Sequence, residues 1–213
     1  MPDVKLAPSL LAADFADLAG EIASARDCGA KLLHLDVMDN HFVPNLSFGP
    51  KIMAAVRKLT DLKVIVHLMV ADPKSLVEAF VDAGADGILA HAELPGCREA
   101  LELARRKGAS PGAAVNPETR PAAMESFLDV AEHVLVMTVH PGFGGQTILP
   151  EVFDKIGDVR RLVGERLDMA VDGGVTVENA ARIVALGANV IVAGTAFFGA
   201  ADRKLAARRL VGG

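Results

Sequence analysis

The sequence predicts a (β/α)8 barrel, eight parallel strands closed on themselves with a helix after each. Three observations point there. Strand-like apolar runs alternate with helical patterns along all 213 residues. Four helical patterns end in the same pair, Gly29-Ala30, Gly84-Ala85, Gly108-Ala109 and Gly187-Ala188, and a strand-like run follows each. Histidine and aspartate stand at the ends of several of those runs, where this architecture carries its functional groups.

Strands are expected over 4–9, 31–36, 62–68, 86–90, 111–115, 133–138, 167–171 and 189–193. Runs such as Val64-Ile65-Val66-His67 are β-branched and too short for helices. Helices are expected near 14–28, 49–59, 73–83, 95–107, 120–130, 151–164, 177–186 and 200–210. Gly just past a helix end suits the left-handed cap that stops it. The Gly-Ala pairs recur near multiples of about 26 residues, the size of one compact βα unit. Strict alternation of this kind means a parallel sheet covered by helices. An open dinucleotide-binding sheet needs Gly-x-Gly-x-x-Gly after its first strand. The turn there is Ser9-Leu10-Leu11-Ala12-Ala13-Asp14, so no nucleotide cofactor is expected. No linker or charge block divides the chain, and residues 1–213 are expected to form one domain.

Composition narrows the class of partner. A formal charge of −5 and a pI near 5.7 give no basic face for nucleic acid. Trp and Tyr are absent, which removes the usual base-stacking platforms. No uncharged apolar run reaches the roughly 18 residues a membrane span needs. The opening Met1-Pro2-Asp3-Val4-Lys5 does not read as a secretory signal. Cys28 and Cys97 are isolated and read as buried free thiols of a reducing compartment, so a cytoplasmic location is expected.

The chemistry collects at strand ends. Residues two apart on a strand share a face, so His34 and Asp36 point the same way. His67 and Asp172 close two further runs. Together these two imidazoles and two carboxylates could meet at one divalent metal. Mixed nitrogen and oxygen donors suit Zn²⁺, Fe²⁺, Co²⁺ or Mn²⁺ and suit Mg²⁺ or Ca²⁺ poorly. Ser9, His91, Glu93, Asn116 and His140 also follow strands. Met38, Met69 and Met137 mark the same level, as core filling or as a water-excluding floor. Three glycine-rich turns, Pro141-Gly142-Phe143-Gly144-Gly145-Gln146, Gly173-Gly174 and Ala193-Gly194-Thr195-Ala196, lie where barrels bind phosphate through backbone N–H groups. No Lys stands at a strand end for a Schiff base, and no Ser-His-Asp arrangement is seen. Two carboxylates on distant strands fit removal of a proton beside a carbonyl and its return to the opposite face. A metal would stabilise the enediolate.

These residues resemble the ribulose-phosphate 3-epimerase family along nearly the whole chain. The resemblance is carried by Ala7-Pro8-Ser9-Leu10-Leu11, the stretch from His34 to Asn45, His67-Leu68-Met69, His91-Ala92-Glu93, Asn116-Pro117-Glu118-Thr119, the stretch from Met137 to Gln146, and Val171-Asp172-Gly173-Gly174. It implies a metal-dependent isomerase of the pentose phosphate pathway that interconverts D-ribulose 5-phosphate and D-xylulose 5-phosphate. It also implies one divalent ion, Zn²⁺ or Fe²⁺ with Mn²⁺ or Co²⁺ as further candidates, held by His34, Asp36, His67 and Asp172. Asp36 and Asp172 would be the acid/base pair. Ser9, His67 and Asp172 would contact the sugar. Gly142, Phe143, Gly144, Gly145, Gly173, Gly174, Gly194 and Thr195 would hold the phosphate end, and Met38, Met69 and Met137 would line the intermediate. Relatives assemble as dimers or hexamers, so a homo-oligomer is expected.

The chain departs from the family pattern at Ile65 and Ala170, where Asp and Glu are usual, and at Thr195, where Ser is common. Ile65 and Ala170 each precede a proposed ligand by two residues on the same strand face. An inner layer repacked with apolar side chains would alter metal affinity. Three other readings share these motifs: a sister epimerase acting on allulose 6-phosphate, a metal-dependent lyase or hydrolase, and a non-catalytic phosphosugar-binding barrel.

Overall fold

Eight parallel strands, β1 (Lys5–Pro8), β2 (Leu32–Met38), β3 (Lys63–Met69), β4 (Gly87–His91), β5 (Ser110–Val115), β6 (His133–Met137), β7 (Asp168–Asp172) and β8 (Val190–Ala193), pair in the order β1-β8-β7-β6-β5-β4-β3-β2. The structure is a computed structural model and describes residues 4–212. Met1, Pro2 and Asp3, on which the reading of the N-terminus partly rests, and Gly213 lie outside the described residues. The ring closes where the Lys31 N–H donates to the Leu6 carbonyl (3.3 Å) and Ser9 bridges in parallel to His34. The expected (β/α)8 barrel is therefore the observed fold.

Helices α1 (Leu18–Asp27), α2 (Pro50–Leu59), α3 (Lys74–Asp82), α4 (Cys97–Arg106), α5 (Val152–Val163), α6 (Ala180–Ala185), α7 (Thr195–Phe198) and α8 (Arg203–Leu210) cover the sheet. No helix of the described residues is long and apolar enough to cross a membrane. The four Gly-Ala pairs all cap helices, with glycine φ between 87° and 105°. The alanine N–H of each pair returns to a carbonyl five residues back, as from Ala109 to Ala104 at 2.9 Å.

One element differs from expectation. The helix expected over 120–130 is a 3-10 helix over Pro121–Phe127. Its period of three puts Pro121, Met124 and Phe127 in one row, and Met124 and Phe127 are the buried pair. The sequence also left out α7, a single turn after β8.

Period-two alternation decides which side chains enter the barrel. On β2, Leu33, Leu35 and Val37 pack outward among the helices. His34, Asp36 and Met38 alternate with them and turn inward. On β3, Val64, Val66 and Leu68 face out, which turns Ile65, His67 and Met69 in. The register pairs His34 with Ile65, Asp36 with His67, and Met38 with Met69. On β7, Met169 and Val171 face out while Ala170 and Asp172 face in. The middle of the interior is apolar, with Ala7, Leu89, Leu135, Ala170 and Val190 in one cluster that Ile65 joins. Ile65 and Ala170 thus fill an apolar layer beneath the ligand positions, as expected. A cavity of about 330 Å³ opens at the opposite end of the barrel and reaches His34 from behind. Cys97 is buried and Cys28 partly so, and both are free thiols. Burial pushes the Cys97 thiol up to about 12.

Candidate active site

His34, Asp36, His67 and Asp172 converge at the C-terminal mouth, each offering a donor atom within 4.8 Å of the others. His34 Nε2 and His67 Nδ1 lie 3.3 Å apart. Asp36 Oδ1 stands 3.1 Å from each of them. Asp172 reaches across from β7, with Oδ2 3.6 Å from His34 Nε2. The second oxygen of Asp36, Oδ2, accepts the Ser9 hydroxyl at 2.5 Å. Asp36 is therefore held from both sides, and only Oδ1 faces the cluster.

The donor set fits a divalent cation. Imidazole nitrogens and carboxylate oxygens meet at 3.1–3.6 Å in a buried place, where one shared cation would neutralise the two carboxylates. Two imidazoles with two carboxylates match the mixed donors that transition ions take.

The charges respond to this crowding. Burial works against charge on His34, but Asp36 and Asp172 outweigh it and raise its pKa. Burial would raise the Asp36 carboxyl, yet the imidazoles of His34 and His67 hold it well below the usual range. Asp172 is pushed up to about 7 by burial and by the charge of Asp36. Burial lowers His67 to about 4, with help from its histidine neighbours. The two carboxyls thus have pKa values driven apart by their surroundings.

Above the cluster lies a cavity of about 390 Å³. Ser9, Asp36, Asp172, Met38, Met69 and Met137 form its floor and walls. The three methionines are nearly fully buried. The glycines at 142, 144, 145, 173, 174 and 194 line the rest with Phe143 and Thr195. No Lys or Arg lines this cavity among the described residues, so any anion there is gripped by backbone N–H groups and hydroxyls. His34 and His67 sit beneath the surface and do not line it.

The loops are braced before any ligand arrives. Asn45 Nδ2 donates to the Gly142 carbonyl at 2.7 Å, tying the loop after β2 to the loop after β6. Gln146 Nε2 donates to the carbonyls of His140 and Phe143 at 2.8 and 2.9 Å. Asn179 Nδ2 donates to the Gly174 carbonyl at 2.9 Å. Gly174 itself has φ +64°, and a Cβ on it would stand 2.2 Å from the Ile148 nitrogen. Only glycine lets the chain pass there.

The structure separates the other strand-end residues. His140 is exposed and pairs with Glu118 at 2.6 Å, outside the cavity. Its loop turns outward after β6, which strand-end position alone does not show. Asn116 also stands apart, its Oδ1 buried without a partner among the described residues. His91 and Glu93 lie behind His67 rather than in the cavity. The sequence marks them as polar strand-end residues and as part of the family resemblance, and their place behind His67 depends on a contact between β3 and β4.

Comparisons with known proteins agree on the family. A model of the ribulose-phosphate 3 epimerase family matches residues 5–198. The chain is 44% identical to a ribulose-phosphate 3-epimerase of Bacillus subtilis, covering 98% of this chain and 99% of that one. It is 40% identical to the chloroplastic ribulose-5-phosphate-3-epimerase of Arabidopsis thaliana, over 94% of this chain and 73% of that one. Among solved structures, a mutant tryptophan synthase alpha-subunit from Pyrococcus furiosus superposes with a TM-score of 0.73 at 19% identity. Both chains are fully covered. At that identity the likeness concerns the barrel alone.

Proposed function

Because the chain belongs to the ribulose-phosphate 3-epimerase family, we propose that it inverts C3 of D-ribulose 5-phosphate to give D-xylulose 5-phosphate, and the reverse. The observation that carries this reading is the pair Asp36 and Asp172. They belong to strands far apart in the chain and meet at one buried cluster.

The pair suits a two-base inversion. Asp36 is held ionised, while Asp172 is pushed up to about 7. The two carboxyls thus differ in proton affinity, which suits one to accept and the other to donate. One carboxylate removes the C3 proton from one face of the substrate, leaving an enediolate. The other delivers a proton to the opposite face, and the configuration inverts. The reverse reaction exchanges the roles. Ser9 fixes the Asp36 carboxylate. Met38, Met69 and Met137 exclude water from the planar intermediate. His34, His67, Asp36 and Asp172 would hold one divalent ion, Zn²⁺ or Fe²⁺. Bound there, it supplies Lewis-acid stabilisation of oxygen charge worth several kcal/mol. The phosphate would lie among the glycines of the loops after β6 and β7 and at Gly194 and Thr195, with His67 supporting the sugar end from below.

The test is solvent-deuterium exchange followed by NMR. Metal-loaded protein is incubated in D₂O with ribulose 5-phosphate and, separately, with allulose 6-phosphate. Deuterium at C3 with xylulose 5-phosphate appearing is the expected result. Label only in the six-carbon sugar selects the sister epimerase, and no label in either removes the epimerase reading.

A further inference from the structure

Asp39 opens the loop after β2 and lies outside the cavity. Its carboxylate gathers three backbone N–H groups from two loops. Oδ1 accepts the N–H of His41 at 2.8 Å and that of Phe42 at 3.0 Å. Oδ2 accepts the N–H of Ala71, in the loop after β3, at 2.8 Å. The proton transfers proposed above use none of these groups.

The loop that follows is built on this clasp. Asn40 is the one non-glycine residue with positive φ among the described residues, at 59°, a conformation Asn tolerates better than most side chains. Its N–H donates to the Asn45 carbonyl at 2.8 Å and closes the loop. Val43 is buried in one cluster with Met38 and Met69. Asn45 is left at the edge facing the loop after β6. Its Oδ1 accepts the Leu46 N–H at 2.9 Å, so its Nδ2 is free to donate to the Gly142 carbonyl at 2.7 Å. The two loops also meet directly: a Cβ on Gly142 would stand 3.5 Å from Val43 Cβ and 3.6 Å from Pro44 Cδ.

Gly142, Gly144 and Gly145 line the cavity, whereas Asn45, like Asp39, does not. Glycine at three of these four successive positions leaves the loop after β6 with wide backbone freedom. A contact from outside the loop is therefore needed to fix where its N–H groups point.

We propose that Asp39 is a positioning residue: by clasping the loop after β2 to Ala71, it delivers Asn45 to the Gly142 carbonyl and so sets the loop that lines the phosphate end of the cavity. The proposal deepens the functional reading above and rests on it for the ligand. The clasp itself is tested without turnover.

Asp39→Asn keeps the shape of the side chain and removes one acceptor. Its amide has a single oxygen, so an NH₂ must face either the Ala71 N–H or those of His41 and Phe42. One side of the clasp opens whichever way the amide turns. Asn45→Ala cuts the next link and leaves Asp39 in place.

Hydrogen exchange of the parent comes first. Ala71 is exposed and lies outside helix and strand, yet its N–H should exchange at least about tenfold more slowly than in an unstructured chain. Free exchange there overturns the proposal, and this measurement needs no variant. Chymotrypsin then reports on the far loop, because Phe143 at its tip is 56% exposed. Asp39→Asn and Asn45→Ala should each speed cleavage after Phe143 by about tenfold relative to other bonds, and the double variant by no more than either one. Effects that multiply in the double variant, or cleavage that rises equally at all bonds, overturn the proposal. With ribulose 5-phosphate, Asp39→Asn should raise KM about tenfold and change kcat by less than about threefold. A fall in kcat at unchanged KM overturns it as well. A parent that does not turn over this sugar removes the proposed function alone, and exchange and cleavage still decide the role of Asp39.

Discussion

The Ser9 hydroxyl donates to Asp36 Oδ2 across 2.5 Å, joining the end of β1 to a carboxylate on β2 at the seam where the barrel closes. One contact thus fixes a functional group and ties the first strand to its neighbour. Both residues are buried, at 5% and 3% exposure, so the bond is shielded from competing water. Ser9→Ala leaves Oδ2 without its donor and lets the carboxylate turn. The expected result is a folded protein with kcat lowered by about 10–100-fold. Steady-state kinetics with circular dichroism check it, and unchanged kcat would show that the hydroxyl is not needed for positioning.

Asp36→Asn and Asp172→Asn each remove one partner of the proton-transfer pair. Turnover is expected to fall by about a thousandfold or more in either. The two variants need not fail alike. A protein with one working carboxylate can still exchange the C3 proton on one face without inverting the carbon. Exchange without epimer formation in either variant identifies the face served by the surviving group. Full turnover in either variant contradicts the two-carboxylate reading.

Metal removal is expected to abolish turnover and lower thermal stability together. A ligand present at about 100 times its Kd stabilises the folded state by about 2.7 kcal/mol. For a chain of 213 residues that corresponds to a Tm shift of about 5–10 °C. Chelator-treated protein examined by calorimetry, then reloaded with Zn²⁺ or Fe²⁺, checks both effects. A Tm that is indifferent to chelator and to added ion would falsify tight binding at the cluster.

Gly174→Ala introduces a Cβ 2.2 Å from the Ile148 nitrogen at a residue with φ +64°. The loop must move, and a strained backbone costs about 1–3 kcal/mol. Urea unfolding should show a loss of that size. KM for the sugar phosphate should rise more than kcat falls, because the displaced N–H groups serve binding. Wild-type stability and KM would mean that the loops after β6 and β7 shift freely, contrary to their hydrogen bonds.

His133 gives the protein an acid-side dependence of stability. Burial holds its ring neutral down to about 4, while an unfolded chain's histidine takes a proton near 6.5. Between these values the unfolded state binds the extra proton, so stability falls as pH drops from about 6.5 to about 4. The ring is partly open to solvent, which reduces the effect to on the order of 1 kcal/mol. His133→Gln should flatten the Tm-against-pH curve in that window and leave the region above pH 7 unchanged. An identical slope in parent and variant would assign the dependence to other groups.

Much of this molecule was legible along the chain, for reasons that particular residues show. A strand's pleat has a period of two, so His34, Asp36 and Met38 had to share a face once β2 was recognised. Gly29, Gly84, Gly108 and Gly187 marked helix ends because only glycine takes their positive φ cheaply. The segment 120–130 departs from the expected helix because a short apolar spacing fits an α-helix or a 3-10 helix, and the 3-10 form buries Met124 and Phe127 in one row.

The sequence by itself determined the alternation of strands and helices, the inward face of each strand, and the residue types gathered at the strand ends. These depend on spacings of two to four residues, which backbone geometry fixes locally. Only the tertiary structure decided which of those residues meet. Asp36 and Asp172 are 136 positions apart, and they approach because closure of β1 on β2 brings β7 around to face β2 across the mouth. Pairing of β3 with β4 sets His91 behind His67, and the loop after β6 leaves His140 turned to solvent. No local spacing encodes such distances. They follow from strand tilt, register and the packing of the whole ring.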